Sequence, residues 1–368
     1  MRTIKVLDLF AGVGGLSYGF AHDDNFHIIA ANEILPDMAK AYSLNHPSVK
    51  VYNCDIKDFG LLNLQTDFKI QKNDIDLIIG GPPCQAFSTV GKRLIDDPRG
   101  KLFQDYYRIL KELNPKIFLF ENVKGLLSMQ KGELLKTILS LFESLGYKVK
   151  YQVLNAADYG VPQVRERLII IGTKLKSEFQ YPKKTHSNQE NNLFSENLKP
   201  YLTLSEAISD LPFIKSDAVS FEYSSQEKNE FQKLMRVNAP KKLMDHNSPK
   251  NNDRLIRLME CLPDGGSPED VPEELRPTSG FKNTYCRLWW ERPSPTITRN
   301  LSTPSSSRCI HPKVARPLTT REGARIQCFP DDYIFYGSRS SKNLQIGNAV
   351  PTFLSIALKN SIKIHFQN

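Results

Sequence analysis

Three short blocks of this 368-residue chain carry residue types that can do covalent chemistry. The first is Gly80-Gly-Pro-Pro-Cys84-Gln-Ala-Phe-Ser88, in which two prolines fix the backbone just before a thiol. The apolar run Ile75–Ile79 precedes it, so the thiol follows a buried strand, at the sheet edge where open α/β proteins bind ligands. A single cysteine is more often a small buried hydrophobe. The rigid Gly-Gly-Pro-Pro frame favours a nucleophile instead, and we predict that Cys84 attacks a substrate.

The second and third blocks supply an acid and two arginines. Glu121 follows the apolar strand Ile117–Phe120, where we expect it to hold and donate a proton near neutral pH. The third block is Gln163-Val-Arg165-Glu-Arg167, and in an extended segment its three odd-numbered residues share one face. This pattern indicates a paired-arginine clamp. A solvated strand-end acid and a solvated run of charges stay open as alternatives.

The elements that must position these blocks alternate between strand and helix patterns, beginning at a glycine turn. Ile4–Leu9 is typical of a strand, Phe10-Ala-Gly-Val-Gly-Gly15 of a tight turn and Leu16–Ala21 of a helix. That geometry lets the backbone approach a nucleotide-like ligand. Glu33 ends the second strand, where it can bind ribose hydroxyls, and Asp55 follows the third. The chain has neither the dinucleotide glycine spacing nor a phosphate loop, which favours an adenosyl cofactor without phosphates.

The alternation continues to about residue 180 and then stops. Residues 181–283 are rich in Asn, Ser, Lys and Pro with weak periodicity, which is typical of a loop-rich second domain. Arg316–Arg325 predicts a capped helix. Gln345–Pro351 predicts a turn that opens a C-terminal helix, whose apolar face should pack on the sheet.

Basic side chains exceed acidic ones, 49 to 40, and the net charge of +9 favours a polyanionic partner. Arginines alternate with aromatic residues in Arg287-Leu-Trp-Trp-Glu-Arg292, and more arginines follow at 299 and 308. Such loops suit contacts with phosphates and base edges. The candidate DNA contacts among them, which the sequence does not rank, are Arg287, Arg292, Arg299 and Arg308.

Cysteine spacing and hydropathy narrow the class of protein further. The six cysteines are scattered with no Cys-x-x-Cys pair, which argues against a zinc site and for reduced thiols in a cytoplasm. No apolar run is long enough for a signal peptide or a membrane span. We therefore expect a cytoplasmic protein with no metal and no membrane contact.

Together these blocks resemble the DNA (cytosine-5) methyltransferase family, in its compact bacterial form. The resemblance covers nearly all of the chain except roughly residues 185–280, and the blocks follow the order of the family. They are Asp8–Gly15, Glu33, Asp55, Gly81–Gln85, Glu121–Val123, Gln163–Arg167, Arg316–Asp331 and Gln345–Pro351.

The resemblance implies a fold and a cofactor. The fold is α/β: a Rossmann-like S-adenosylmethionine-dependent methyltransferase sheet with helices on both faces, plus a smaller, loop-rich target-recognition domain. The catalytic domain comprises residues 1–180 and 343–368, and the small domain 181–342, with a variable part at about 185–310. The cofactor is S-adenosyl-L-methionine, and the product S-adenosyl-L-homocysteine. The implied cofactor contacts are Asp8, Phe10, Ala11, Gly12, Gly14, Gly15, Glu33, Asp55, Pro83, Leu102, Asn348 and Val350.

A mechanism also follows from the resemblance. The target cytosine leaves the duplex, and the Cys84 thiolate adds to its carbon 6, which makes carbon 5 nucleophilic. Glu121 contacts ring nitrogen 3 and the exocyclic amine, Arg165 contacts the base carbonyl, and Arg167 supports the loop. No single residue stands out as the base that removes the carbon-5 proton. The implied DNA contacts near the nucleophile are Gln85, Ser88 and Arg99.

The implied partner is double-stranded DNA, bound by a monomer that serves as the modification enzyme of a restriction–modification system. A cognate restriction endonuclease in the same cell is part of that expectation. An RNA cytosine-5 methyltransferase shares the same blocks and stays an alternative. A non-catalytic DNA-binding homologue and a nicotinamide oxidoreductase are two more.

Overall fold

The computed structural model describes residues 3–83, 101–188, 198–278 and 283–368. The chain divides into two compact units. Unit 1 comprises Met1–Asn155, Glu166–Lys183 and Leu354–Asn368, and unit 2 comprises Ala156–Arg165 and Lys184–Phe353.

These bounds depart from the expected domains at three segments, the shortest being residues 181–183, which belong to unit 1 instead of the small domain. Ala156–Arg165 and residues 343–353 both lie in unit 2, although the sequence placed them with the catalytic domain. The first belongs there because the Val164 backbone N–H donates to the Ser294 carbonyl at 2.8 Å, so the loop pairs with a segment of unit 2. The functional assignment of the two units stays a prediction.

Unit 1 is built on a seven-stranded sheet in the order β3-β2-β1-β4-β5-β7-β6. All neighbours are parallel except β7, which runs antiparallel to both β5 and β6. The strands are β1 (Ile4–Leu9), β2 (Phe26–Asn32), β3 (Lys50–Tyr52), β4 (Leu77–Gly80), β5 (Ile117–Val123), β6 (Lys148–Asn155) and β7 (Glu166–Thr173). The predicted strands Ile4–Leu9, Ile75–Ile79 and Ile117–Phe120 are confirmed as β1, β4 and β5, with shifts of up to three residues at their ends.

Helices connect the strands and cover the sheet. They are α1 (Tyr18–Ala21), α2 (Pro36–Asn45), α3 (Leu61–Phe68), α4 (Lys101–Leu113), α5 (Glu133–Ser144), α6 (Leu204–Ile208), α7 (Glu230–Arg236), α8 (Asp253–Cys261), α9 (Thr320–Ile326), α10 (Arg339–Asn348) and α11 (Thr352–Gln367). Short strands β8 (His186–Ser187) and β9 (Lys199–Pro200) pair with each other in unit 2.

Both faces of the central strands are buried, as a parallel sheet between helices requires. Successive residues of a strand point to opposite faces. In β1, Leu7 and Leu9 belong to the core that also contains Tyr106 of α4 and Phe142 of α5. Asp8 therefore faces the other side, where it accepts a hydrogen bond from Ser17, the residue that precedes α1. The α/β sheet with helices on both faces is confirmed.

Unit 2 is mostly loop, and α9 lies at its centre. Every residue of α9 is buried. Thr319 caps it, and the Glu322 carboxylate forms a two-point ion pair with Arg316, with both N···O distances 2.8 Å. A buried ion pair offsets the cost of desolvating its two charges only when its geometry is as good as this. The predicted capped helix is confirmed.

The predicted turn over Gln345–Pro351 is only partly correct. Gln345–Asn348 forms the last turn of α10, and the chain becomes extended at Ala349 before α11 begins at Thr352. The Ala349 backbone N–H donates to the Ile346 carbonyl and closes the end of α10.

None of the helices in the described parts of the chain has the length and apolar character that crossing a membrane requires.

Candidate active site

The ends of β4 and β5 bring the backbone before Cys84 against Glu121. Gly80 pairs with Phe120 across the two strands, so Gly81 lies beside Glu121. A Cβ atom placed on Gly81 would lie 2.8 Å from the Glu121 Oε2 atom, so a larger residue there would displace the Glu121 carboxylate. Cys84, Gln85, Ser88 and Arg99 lie outside the described residues.

Asn122 holds this loop in place. Its side chain is 5% exposed, and its Nδ2 atom donates to the Pro82 carbonyl at 3.0 Å. The next proline, Pro83, is exposed, one residue before the predicted nucleophile. Sequence reasoning quoted Asn122 within a block but gave it no role. Its place directly after Glu121, on the opposite face of the strand, is the signal that could have found it.

Glu121 forms an ion pair with Arg167. The Arg167 Nε atom lies 2.9 Å from Glu121 Oε1, and the two side chains are 12% and 13% exposed. Because β5 and β7 are antiparallel with Val123 opposite Arg167, Glu121 lies two residues along on the same face. A carboxylate and a guanidinium thus meet at one strand edge, partly open to a substrate.

Arg165 does not form a pair with Arg167 in a clamp. Its side chain is 1% exposed, and its guanidinium donates to the carbonyls of Ile297 at 3.1 Å, Gly347 at 2.9 Å and Ala349 at 3.0 Å. These bonds to backbone oxygens disfavour a contact of Arg165 with the base carbonyl, which stays a prediction. Arg167, expected only to support the loop, lies beside Glu121 and is a second candidate for that contact.

The glycine turn after β1 and Glu33 form a second cluster. The Glu33 side chain is 7% exposed and accepts hydrogen bonds from the backbone N–H of Gly12 and of Leu35, each at 2.8 Å. Burial raises its pKa. Phe10 has a φ of 55°, in the left-handed region that a residue with a side chain rarely adopts. Strain of that kind is concentrated at functional sites.

Asp8 belongs to β1 and lies two residues before Phe10, where the glycine turn begins. It is 1% exposed, its Oδ2 accepts from the Ser17 hydroxyl, and its Oδ1 has no hydrogen-bond partner among the described residues. Burial raises the pKa of Asp8 to about 7. Its hydrogen bond with Ser17 and that hydroxyl's bond from Tyr42 at 3.0 Å join β1, α1 and α2.

Asp55 starts a short 3₁₀ helix, Ile56–Asp58. Its Oδ1 accepts from the Lys57 backbone N–H at 3.1 Å, and that hydrogen bond lowers the pKa of Asp55. The side chain is 37% exposed and ionised at neutral pH, so it can accept a hydrogen bond from an amine.

The other predicted cofactor contacts are placed as follows. Ala11 donates its backbone N–H to the Asn32 carbonyl, and Gly14 donates to Ala11, which closes the turn that ends with buried Gly15. Leu102 is half-buried against the core of unit 1. In unit 2, Asn348 is exposed at the end of α10 and Val350 is buried.

The residues of unit 1 fit an adenosyl ligand. A Cβ atom built on Gly12 would meet no atom of the described residues within 4 Å, so these residues leave space beside the turn at the residue that donates to Glu33. Glu33 offers buried carboxylate oxygens, which suit hydroxyl donors. The unpartnered Oδ1 of Asp8 suits a further donor. Exposed Ile34, directly after Glu33, adds apolar surface that sequence reasoning missed.

Two of the four arginines proposed for DNA contact are structural instead. Arg287 is 5% exposed, and its guanidinium donates to the carbonyls of His311 at 2.6 Å, Pro312 at 2.9 Å and Met259. Arg308 donates to the carbonyls of Gly265 at 2.9 Å and of Arg287. Both guanidinium groups are thus bound to backbone carbonyls, which disfavours the two predicted DNA contacts.

Arg292 and Arg299 remain available to a partner. Both are exposed, and neither forms a side-chain hydrogen bond or ion pair with a described residue. The Arg292 guanidinium carbon lies 5.7 Å from the centre of the Trp289 ring, a cation–π distance.

The chain that contains this site matches a model of a known protein family. The model of C-5 cytosine-specific DNA methylases matches residues 4–363, nearly the whole chain. The chain belongs to the C-5 cytosine-specific DNA methylase family. The predicted family is therefore confirmed.

Similar methylases match along almost their full length. The type II methyltransferase M.DdeI of Desulfomicrobium norvegicum is 38% identical over 388 residues, spanning 99% of this chain and 90% of the relative. M1.HphI of Haemophilus parahaemolyticus is 34% identical over 363 residues, spanning 98% and 87%. A crystal structure described as a prophage-encoded DNA modification methyltransferase (E. coli) is similar with a TM-score of 0.77 and 26% identity, covering 100% of both chains.

This methylase is an enzyme that methylates carbon 5 of cytosine in DNA. Its family uses S-adenosyl-L-methionine as methyl donor. The family match favours DNA over the RNA alternative, and the Glu121–Arg167 pair argues against a non-catalytic homologue.

Proposed function

We propose that this methylase is a type II modification enzyme that methylates one cytosine within a short duplex sequence through a covalent Cys84 adduct. The curated relatives, which are named as type II methyltransferases, support the first part. The observation that carries the second is the Glu121–Arg167 pair, set against the backbone that leads into Cys84.

Carbon 6 of cytosine cannot be attacked inside a base stack, so the target base must rotate out of the duplex. A cytosine ring between the Cys84 loop and the strand edge would present nitrogen 3 and its exocyclic amine to Glu121. Arg167 would then donate to the base carbonyl. Its ion pair keeps the guanidinium 2.9 Å from Glu121, close enough to span adjacent positions of one pyrimidine edge.

The chemical step requires Cys84 as a thiolate. Its sulfur lone pair forms the bond to carbon 6, and the electrons of the 5,6 double bond move toward carbon 5. Negative charge spreads over the ring carbonyl and nitrogen 3. The Arg167 guanidinium would stabilise it at the carbonyl, and Glu121 would contact nitrogen 3 and the exocyclic amine. Carbon 5 would then bond to the methyl carbon as the bond from that carbon to the donor sulfur breaks, which leaves S-adenosyl-L-homocysteine. A base or a water would take the carbon-5 proton, and the electrons of that C–H bond would re-form the 5,6 double bond as the Cys84 thiolate leaves.

Residues of unit 1 would hold S-adenosyl-L-methionine, which supplies an electrophilic methyl group when bound. Glu33 would accept hydrogen bonds from the ribose hydroxyls, and Asp55 from the adenine amine. Asp8 would accept from the amino-acid portion, because its Oδ1 has no partner among the described residues. Phe10 and Ile34 would pack on the adenine, and Asn348 and Val350 are proposed as further contacts.

DNA contacts are proposed for Arg292 and Arg299, whose guanidinium groups are free to pair with phosphates. Gln85, Ser88 and Arg99, in the segment around the nucleophile, stay proposed contacts from the family resemblance. We further propose that the enzyme acts as a monomer in the cytoplasm beside a cognate restriction endonuclease.

A methyl-transfer assay with the Cys84→Ala variant tests the proposal. Purified wild type is expected to transfer labelled methyl groups to duplex DNA and not to transfer RNA. Cys84→Ala should lose transfer while it binds S-adenosyl-L-homocysteine with unchanged affinity. Labelling of transfer RNA alone, or wild-type turnover by Cys84→Ala, would refute the proposed function.

A further inference from the structure

Two buried glutamines of unit 2 form a hydrogen-bonded chain, and neither has a role in the candidate active site described above. Gln163 and Gln327 are both 0% exposed. The Ile297 backbone N–H donates to Gln163 Oε1 at 2.8 Å, and Gln163 Nε2 donates to Gln327 Oε1 at 3.0 Å. Gln327 Nε2 then donates to the Ile346 carbonyl at 2.8 Å.

The two ends of this hydrogen-bonded chain fix the direction in which its hydrogen bonds are donated. A backbone N–H can only donate and a carbonyl can only accept, so each side-chain amide must accept on one side and donate on the other. A primary amide does both within one planar group. An ionised carboxylate only accepts, and an apolar side chain does neither, so neither satisfies both ends.

At one end of the hydrogen-bonded chain, Gln163 binds the segment that contains Arg299. Ile297 lies two residues before Arg299 and is fixed from both sides. Its N–H is bound by Gln163, and its carbonyl accepts from Arg165 at 3.1 Å.

At the other end of the hydrogen-bonded chain, Gln327 binds the last turn of α10. Gln327 binds the Ile346 carbonyl, and Arg165 binds the carbonyls of Gly347 and Ala349. Gly347 also lies flush against the first segment, because a Cβ atom on it would lie 2.2 Å from the Arg299 backbone nitrogen. The two segments therefore cannot shift independently.

We propose that Gln163 and Gln327 are positioning residues that hold the Arg299 segment and the Asn348 turn in one register, so that DNA affinity and cofactor affinity depend on the same buried amide chain. This inference rests on the proposed function, in which Arg299 contacts DNA and Asn348 contacts the cofactor. The two glutamines touch neither ligand.

Gln327→Glu tests the inference, because it keeps the side-chain shape and replaces the donor with an acceptor that faces the Ile346 carbonyl. We expect the KM for S-adenosyl-L-methionine and the Kd for duplex DNA each to rise about tenfold or more, which corresponds to about 1.4 kcal/mol. The value of kcat at saturation should change less. Backbone amides of residues 294–300 and 345–352 should both exchange hydrogen faster.

Gln232→Glu is the matched control. Gln232 is also 0% exposed in unit 2, where Nε2 donates to the Glu206 carbonyl at 2.9 Å and Oε1 accepts from the Lys228 N–H at 2.8 Å. The substitution breaks a buried amide network of the same kind on α7. It should lower the melting temperature but leave KM, Kd and exchange in the two segments unchanged.

Three results would overturn the inference: unchanged KM and Kd in folded Gln327→Glu, faster exchange in one segment only, or the same changes in Gln232→Glu. Should Gln327→Glu fail to fold, Gln163→Met tests the same expectation, since it leaves the Ile297 N–H without its acceptor. Hydrogen exchange requires no catalysis. A wild type that methylates no DNA would thus refute the proposed function separately from the amide chain.

Discussion

Arg165 and Arg167 stand two residues apart, yet the structure surrounds them differently. Arg165 is buried and donates to three backbone carbonyls, whereas Arg167 meets a carboxylate at a partly open strand edge. A buried guanidinium held by three carbonyls stabilises the fold. Arg167 donates to one carbonyl, that of Glu166, and its partly exposed guanidinium beside an acid can stabilise a charge that forms during reaction. Replacing Arg167 should therefore lower the reaction rate, whereas replacing Arg165 should lower the free energy of unfolding.

Arg167→Ala should lower kcat by about 10²-fold or more, because the carbonyl charge on the adduct loses its donor. Its melting temperature should change little. Arg165→Met should instead lower the free energy of unfolding by about 3 kcal/mol, since buried carbonyls lose their donors. Steady-state kinetics and urea unfolding on both variants check this. A reversed outcome would contradict the assignment of the two roles.

Asp8 makes a pH-dependent contribution to stability. Its folded-state pKa is raised to about 7 from 3.8, so the folded chain keeps a proton that the unfolded chain releases above about pH 4. The free energy of unfolding must then fall as pH rises from about 4 to 7, by up to about 4 kcal/mol, and level off above.

Asp8→Asn should remove that pH dependence, because an amide does not titrate and still offers Ser17 an acceptor. Urea unfolding of both proteins at pH 5, 6.5 and 8 measures it. The stability of wild type relative to Asp8→Asn should fall between pH 5 and pH 8. An equal pH dependence in both proteins would show that Asp8 does not hold the proton.

At the scale of elements, the segment from Arg287 to Arg308 mixes structural and exposed arginines. Arg292→Ala and Arg299→Ala should each weaken duplex DNA binding about five- to tenfold at moderate salt and leave the melting temperature nearly unchanged. Arg287→Ala should destabilise unit 2, since several buried carbonyls would lose their donor. Fluorescence anisotropy with labelled duplex and thermal unfolding separate the two classes. Normal binding by both exposed-arginine variants would place the DNA interface elsewhere.

The sequence located the strands well and some helices poorly. The strands of the central sheet are short apolar runs bounded by turn residues, and that pattern is distinctive. Helix α2 (Pro36–Asn45) was not predicted, because its buried residues include two alanines and give little periodicity. The Gln345–Pro351 block was read as a turn, since its glycine, asparagine and proline hide the end of α10.

The sequence predicted which residues form the candidate site better than it predicted the contacts that those residues make. Alternation placed Arg165 and Arg167 on one face, but it could not show that the carbonyls of residues 297, 347 and 349 surround Arg165, because those residues are far along the chain. Arg287 and Arg308 gave no signal of burial, because their partners are backbone carbonyls far along the chain. Glu33, by contrast, lies where the strand–turn–helix pattern put it, against the Gly12 turn.

For the whole molecule, the excess of basic over acidic side chains bears on how DNA is held. With a net charge of +9, affinity for duplex DNA should fall steeply as salt rises from 50 to 200 mM. Arg292→Ala should reduce the slope of log affinity against log salt by about one, the contribution of a single phosphate contact. Titrations at four salt concentrations measure both slopes. An affinity independent of salt would contradict a phosphate-dominated interface.

The central claim is that this methylase forms a covalent Cys84 adduct with one cytosine of a specific duplex sequence. Bisulfite sequencing of DNA from cells that express it reports the modified base, its position and the surrounding motif together. Wild type should protect one cytosine in every copy of a single short motif, and Cys84→Ala should protect none. Protection without a common motif, or equal protection by Cys84→Ala, would contradict the account.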